Sequence, residues 1–337
     1  MPQYSPPVLT TSVAVAHLYN GTVLTITKTP ATPAYTALME RIGNAPEPPP
    51  PGRLAKWQRW WNKKRGQPAT ADVGVLSSLL ISLKAATVSA LGGQPVDRVA
   101  VTGPSTPALI NQDLHDALEH AGLRSWLGDG SRYQPRRIAQ CRAVFAGNGH
   151  GLCPSYTDLF QCWSEGGDMA SRLTLFVSLT RHALYASVDE IREAFPKSAW
   201  GGDDGLRVLD FDGGLDGRGR FASEGDYWAH VRGRIVGLAR QSSRPLQRVL
   251  LGGENATNSA FLATLRDALA ELSPVSPLRV DVAMIEDPTY AAARGMAVYA
   301  RRRQEVPGDC MERLVCDERR EKERSGASEG SPRLELR

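Results

Sequence analysis

The residues with the most chemical promise lie in 248–270: an apolar strand, R-V-L-L, a turn, G-G-E-N-A-T, and a helix with Phe261, Leu262, Leu265, Ala268 and Leu269 at helical spacing. Gly252 and Gly253 let the backbone turn sharply beside a ligand, and Asn258 or Thr257 can cap a helix start whose dipole favours an anion. This is the build of a nucleotide site, and equally of an ordinary β–α corner, since glycines close many such turns with nothing bound. His150, in G-N-G-H-G, is either a ligand or acid–base group or an exposed loop residue. In K-W-Q-R-W-W-N-K-K-R, Trp57, Trp60 and Trp61 share one face of a helix, with Lys56, Arg59, Lys63 and Lys64 around it. Two readings stand: a helix that docks a protein partner or an anionic ligand, or tryptophans packed on the body.

Five cysteines, Cys141, Cys153, Cys162, Cys310 and Cys316, are odd in number and irregular in spacing. They suggest neither a disulfide framework nor a C-x-x-C zinc site, so free thiols in a reducing compartment are expected. Cys310 and Cys316 bracket a charged segment, and a pair or a metal site there is the weaker reading.

Positioning these residues requires a body, and 337 residues suffice for two lobes or one large α/β domain. The net charge of +4 comes from basic residues spread along the chain, so nucleic acid is not an expected partner. No stretch reaches the apolar length of a membrane span, and M-P-Q-Y-S-P-P has neither the charge nor the apolar run of a signal peptide. The expected location is therefore cytoplasmic, with no membrane partner.

Residues 13–19 and 23–27 are β-rich runs joined by Asn20-Gly21, a strong hairpin signal. Residues 35–42 suggest a helix, after which P-E-P-P-P-P (46–51) is a stiff spacer. Residues 72–91 carry the longest helical pattern, stopped by Gly92-Gly93; a strand (98–102), a turn and a helix (112–121) follow. Helical character at 138–146 leads to a strand pair at 173–179 and 183–188. A strand at 207–211, a helix at 227–239, the opening strand–turn–helix, a strand at 280–285 and a helix at 290–302 complete an α/β alternation. From Gly308 the chain is charged and apolar-poor. The expected organisation is an N-terminal lobe over 1–170 with a Pro-rich insertion at 46–53, a C-terminal lobe over 171–305, and a charged, disordered tail over 306–337.

Four stretches in this order carry a resemblance. They are V-D-R-V-A-V-T-G-P-S-T-P-A-L-I-N-Q-D-L-H-D-A-L-E-H-A-G-L (96–123), R-I-A-Q-C-R-A-V-F-A-G-N-G (137–149), R-V-L-L-G-G-E-N-A-T-N-S-A-F (248–261) and E-D-P-T-Y-A-A-A-R-G-M-A-V-Y-A (286–300). Together they resemble the nucleotide-binding domain of the heat shock protein 70 chaperones, and more closely that family's divergent members in filamentous fungi. The last two stretches are the specific ones, similar to the family's adenosine-proximal V-G-G-S/T and its D-P-x-x-A-x-x-x-G-A-A closing helix. The resemblance covers roughly 13–303 and implies a two-lobed, actin-like ATPase (ribonuclease H-like) α/β fold, degenerate and with reduced subdomains.

Departures from the family bear on function. The family's first hairpin begins with a phosphate turn, D-x-G-T-T; here 15–23 is similar to its second strand, and the first strand and its loop are expected to be missing. The second phosphate loop, D-L-G-G-G-T, falls on S-L-T-R-H-A: Ser178 replaces the metal-side aspartate, and Thr180, Arg181 and His182 replace three glycines. Side chains there crowd a backbone cradle, and without the carboxylate hydrated Mg²⁺ loses its anchor. Asp210 and Asp212 with Gly213-Gly214 are similar to a phosphate turn but come too late in the chain, and are read as a loop of a reduced subdomain. The implied function is a binding or scaffold protein with little or no ATP hydrolysis, in which ATP or ADP binding is weak or lost and Mg²⁺ is not held by the protein. No catalytic residue is expected. The alternative is an active ATPase that keeps ATP through Gly252, Gly253, Glu254 and Asn255, with Arg181 on the phosphates. An unidentified protein partner at Trp57, Trp60 and Trp61 goes with the scaffold reading.

Overall fold

The β-rich runs gather into a three-stranded, a five-stranded and a two-stranded sheet with helices against them, a mixed α/β fold. The structure is a computed structural model and describes residues 2–8, 11–17, 22–128, 135, 137–195, 205–272, 281–283 and 287–305. The expected tail over 306–337, with Cys310 and Cys316, lies outside the described residues, as does the Asn20-Gly21 turn.

In the first sheet, β1 (Pro2–Val8), β2 (Thr11–His17) and β3 (Val23–Pro30) form an antiparallel meander. β4 (Arg98–Val99) lies beside β1 without pairing with it and forms a separate two-stranded parallel sheet with β5 (Arg124–Ser125). The succession across this half is therefore β3, β2, β1, β4, β5. The second sheet repeats it. β8 (Leu206–Asp210), β7 (Leu184–Ile191) and β6 (Arg172–Leu179) are antiparallel, and β9 (Arg248–Gly252) and β10 (Asp281–Ala283) follow in parallel.

The presence of β1 corrects the expectation of a missing first strand. Pro6 and Pro7 argue against a strand by sequence, but they fall where the register shifts between Ser5 and Val8, and a bulge tolerates residues with no N–H to give the ladder. The strand expected over 98–102 is shorter than its apolar run: only Arg98 and Val99 pair, although Ala100 and Val101 are buried.

Between β3 and β4 lie α1 (Pro33–Gly43), α2 (Arg53–Lys64) and α3 (Ala71–Ala90). Thr32 caps α1 by accepting the Tyr35 N–H, and Thr70 caps α3 by accepting the Val73 N–H, both at 3.2 Å. Gly92 and Gly93 end α3 with φ of 65° and 88°, a backbone that other residues adopt only under strain. α3 is long and apolar enough to cross a membrane by length and composition, which corrects the expectation that no stretch is. Its Leu76, Leu79, Leu80 and Leu83 are buried in the core shared with α1 and with α4 (Asn111–His120).

Past β5 come α5 (Gln140–Gly147) and α6 (Leu159–Asp168), the latter without an expectation from sequence. The second sheet then carries α7 (Glu224–Ala239) and α8 (Ser259–Leu272), while α9 (Ala291–Glu305) packs on α5 and on β1 and β2. Strand alternation places the two cores. Leu175, Val177, Val249 and Leu251 face α7 and α8, while Phe176 and Leu250 between them join the larger core around α3, α5 and α9.

α5 and α9 make the closest helix contact between the halves. A Cβ on Gly147 would lie 1.9 Å from the Ala291 carbonyl oxygen, and one on Gly295 would lie 1.8 Å from that of Ala143. The contact is reciprocal: each helix supplies an alanine and, four residues on, a glycine, and backbone meets backbone.

Candidate functional site

The residues singled out from sequence gather where the C-terminal ends of β6 and β9 meet. Gly252, Gly253, Glu254 and Asn255 form the turn after β9, and Arg181 stands in the turn between β6 and β7. Gly253 has a φ of 90°, and a Cβ there would lie 2.5 Å from the Leu179 carbonyl oxygen. A Cβ on Gly252 would lie 3.0 Å from the ring of Phe176. Gly253 is therefore required by its backbone and its packing against β6, and Gly252 is closely packed there, whatever else approaches them. The Asn255 N–H donates to the same Leu179 carbonyl at 3.1 Å, tying the two turns together.

Polar groups in these turns are largely engaged within the protein. The carboxylate of Glu254, whose side chain is 8% exposed, sits 3.0 Å from the Lys28 Nζ and accepts the Arg181 N–H at 3.2 Å. Lys28 belongs to β3, so this contact bridges the two sheets. The Thr180 N–H donates to the Ala183 carbonyl at 3.0 Å, and the Ala183 N–H to the Thr180 hydroxyl at 3.1 Å. The Arg181 guanidinium donates to Asp216 at 3.0 and 3.1 Å, and His182 Nδ1 lies 2.9 Å from the other oxygen of that carboxylate. At the start of α8, Asn258 Oδ1 accepts the N–H groups of Ala260 and Phe261, so its own cap occupies the end where an anion would sit. Two polar groups stand apart: Ser178 Oγ, fully buried next to Gly253, and Asn255 Nδ2 have no hydrogen-bond partner.

The loop after β8 supports the Arg181 turn from the other side. Asp210 Oδ1 accepts the N–H groups of Asp212 and Gly213, and its Oδ2 lies 2.7 Å from His230 Nε2 and 2.9 Å from Arg234 Nε. Asp212 pairs with Arg220. A Cβ on Gly214 would lie 2.2 Å from the His182 carbonyl carbon, and the N–H groups of Leu215 and Asp216 donate to the carbonyls of Thr180 and Arg181. The D-x-D-G-G run thus turns the chain and clamps its neighbour. No group of three or more His, Cys, Asp or Glu among the described residues is placed to hold a metal ion.

The other singled-out residues lie elsewhere. His150 is exposed, its ring on that of Phe145 with centroids 5.4 Å apart. Trp57, Trp60 and Trp61 point outward from α2. Cys153 and Cys162 form a disulfide with Cα atoms 5.2 Å apart, which corrects the expectation of free thiols for this pair. Residues 151–158 fold back onto the first turns of α6, a contact that the nine-residue spacing does not announce. Cys141 is buried and is not disulfide-bonded.

Sequence reasoning missed Lys28, Asp216 and the capture of Arg181 by Asp216. The last was within reach: Asp210 and Asp212 with Gly213-Gly214, followed by Asp216, mark a tight acidic loop, and Arg181-His182 is the basic turn of the adjacent hairpin. Lys28 had no local signal, since its partner is on the other sheet. No protein-family model matches this sequence, and no curated protein matches it.

Proposed function

We propose that this chain is a degenerate actin-like ATPase fold, related to the nucleotide-binding domain of the heat shock protein 70 chaperones, that acts as a binding or scaffold protein with little or no ATP hydrolysis. The strand succession, an antiparallel meander beside a parallel pair in each half, continuous in the second and split into two sheets in the first, supports the fold reading. The reciprocal crossing of α5 and α9 between the halves supports it further.

The observation that carries the functional reading is the state of the Thr180–Ala183 turn. Phosphoryl transfer depends on backbone N–H groups and cations aimed at the phosphates, with a metal to neutralise charge. In this turn the N–H groups of Thr180, Arg181 and Ala183 are already donated within the protein, and the Arg181 guanidinium faces Asp216. Glu254 and Lys28 neutralise each other beside this turn. Residues so engaged do not fit a magnesium triphosphate without rearrangement.

One observation favours the alternative of an active ATPase: Ser178 Oγ and Asn255 Nδ2, unpartnered at the junction of the two turns, are polar groups that a ligand's hydrogen bonds would satisfy. Titration calorimetry with ATP, with and without Mg²⁺, separates the readings. The scaffold reading expects no magnesium-dependent heat and no phosphate release above the rate without protein. Micromolar, magnesium-dependent binding with phosphate release would establish the ATPase instead.

A further inference from the structure

Helix α2 is amphipathic in the reverse of the usual sense. Its inward face is cationic: Arg59, 9% exposed, reaches Asp113 and Asp116 of α4, and Lys63 reaches Asp116 and Glu119. Its outward face is apolar and aromatic, with Leu54 84% exposed, Trp57 59%, Trp60 51% and Trp61 44%. Positions 54, 57 and 61 follow one line along the helix, and the Trp57 and Trp61 rings stack with centroids 5.8 Å apart. Beside that line stand Arg53, Lys56, Lys64 and Arg65, which form no ion pair among the described residues. No acidic residue occurs between Glu47 and Asp72.

Charge complementarity therefore asks for an anionic occupant, and the composition chooses among anions. Protein interfaces favour tryptophan and arginine at their centres and disfavour lysine, whereas two of these four cations are lysines. The patch holds one aliphatic side chain, too little to fill a partner's groove. Indoles with flanking cations and no carboxylates suit the headgroup layer of a bilayer, where the ring edge is wet, the face is apolar and the cations meet lipid phosphates. We propose that α2 docks this chain reversibly on an anionic phospholipid surface, with α4 holding its inner face so that the aromatic face is presented as one patch. Docking through α2 does not depend on whether a nucleotide binds at the turns after β6 and β9. It requires no spanning segment, and the expectation of no membrane partner rested on the lack of one.

The test is sedimentation of the full chain with phosphatidylcholine vesicles with and without phosphatidylserine, followed by tryptophan emission. Binding to the anionic vesicles is expected to exceed binding to the neutral ones by at least about tenfold, to fall with added salt, and to shift the emission to shorter wavelength. The triple substitution Trp57→Ala, Trp60→Ala, Trp61→Ala should abolish it, and Lys56→Gln and Lys64→Gln should each weaken it about fivefold. Because these side chains are exposed, the variants should melt with the parent, and the parent's own emission shift stands as a separate readout. Equal binding to neutral vesicles, no binding, or binding that survives the tryptophan substitutions would overturn the proposal. So would binding to polyglutamate as tight as to the anionic vesicles, which would assign the face to an acidic protein, or binding to soluble inositol phosphate as tight as to the vesicles, which would assign it to a free anion.

Discussion

β6 and β7, eight residues each, are buried along almost their whole length, and both faces of their sheet are packed. β3, also eight residues, has no fully buried side chain, and β4 and β5 are two residues each. The two halves follow one strand succession with very different apolar content. A second sheet built this way holds itself together; the first depends on what lies against it, chiefly α3 and, across the seam, α9, which packs on β1 and β2. Strand order is thus retained where apolar burial is not, because helices supply the missing cover.

The seam gives the harshest test. Gly295→Val would drive side-chain atoms into the Ala143 carbonyl, and with backbone on both sides neither helix can yield, so a loss of about 4 kcal/mol or more is expected in urea unfolding. Gly237→Ala, on an open face of α7, is the control and should gain about 0.5–1 kcal/mol. If both substitutions are tolerated alike, the halves are not joined by this crossing. The sheets themselves can be set against each other: Leu175→Ala in the second should lose about 3 kcal/mol, whereas Leu24→Ala in the first, 36% exposed, should lose under about 1 kcal/mol. Equal losses would erase the distinction.

Smaller effects probe how each half treats its buried polar groups. Asp116→Ala strips the buried Arg59 of one of its two carboxylates, and about 2 kcal/mol should be lost in a thermal melt, less than for a fully orphaned charge because Asp113 remains. Burial pushes the phenol of Tyr227, in the second half, and of Tyr299, at the seam, up to about 12, and raises that of Tyr35, in the first. The folded protein then holds these protons where the unfolded chain has released them. The stability they contribute is complete below pH 10 and declines as pH rises towards 12, by about 1 kcal/mol for each of Tyr227 and Tyr299 at pH 11. Absorbance at alkaline pH should therefore show tyrosine ionisation coinciding with unfolding rather than preceding it.

How much of this was readable in advance follows the same division. Val249, Leu250 and Leu251 are a continuous apolar run and announce a strand covered on both faces, as it is. α3 was legible from its leucine spacing and its glycine stop. β1 was not, since the bulge that admits Pro6 and Pro7 is a property of its pairing with β2. Helical spacing in α2 told which residues share a face without telling which face turns inward, because the carboxylates that draw Arg59 in lie on α4. The Gly252-Gly253 turn was legible as a turn. That its glycines lie against the Leu179 backbone and the Phe176 ring depends on β6, which enters the sheet from elsewhere in the chain.

The bridge between the sheets provides the finest test. Lys28 is 42% exposed at its side chain, so solvent screens its attraction for Glu254, and Lys28→Gln should lower stability by about 1 kcal/mol or less. The informative readout is local. Glu254 also accepts the Arg181 N–H, and a carboxylate that has lost its lysine is freer to turn to water, so the Arg181 amide should exchange with solvent faster while amides in β6 and β9 keep their protection. If the pair ties the β6–β7 turn to β3, the same substitution loosens that tie from the weaker, first-sheet side. Unchanged exchange at Arg181 would mean that the β6–β7 turn is held by Asp216 and the loop after β8 alone, and that the first sheet contributes nothing to it.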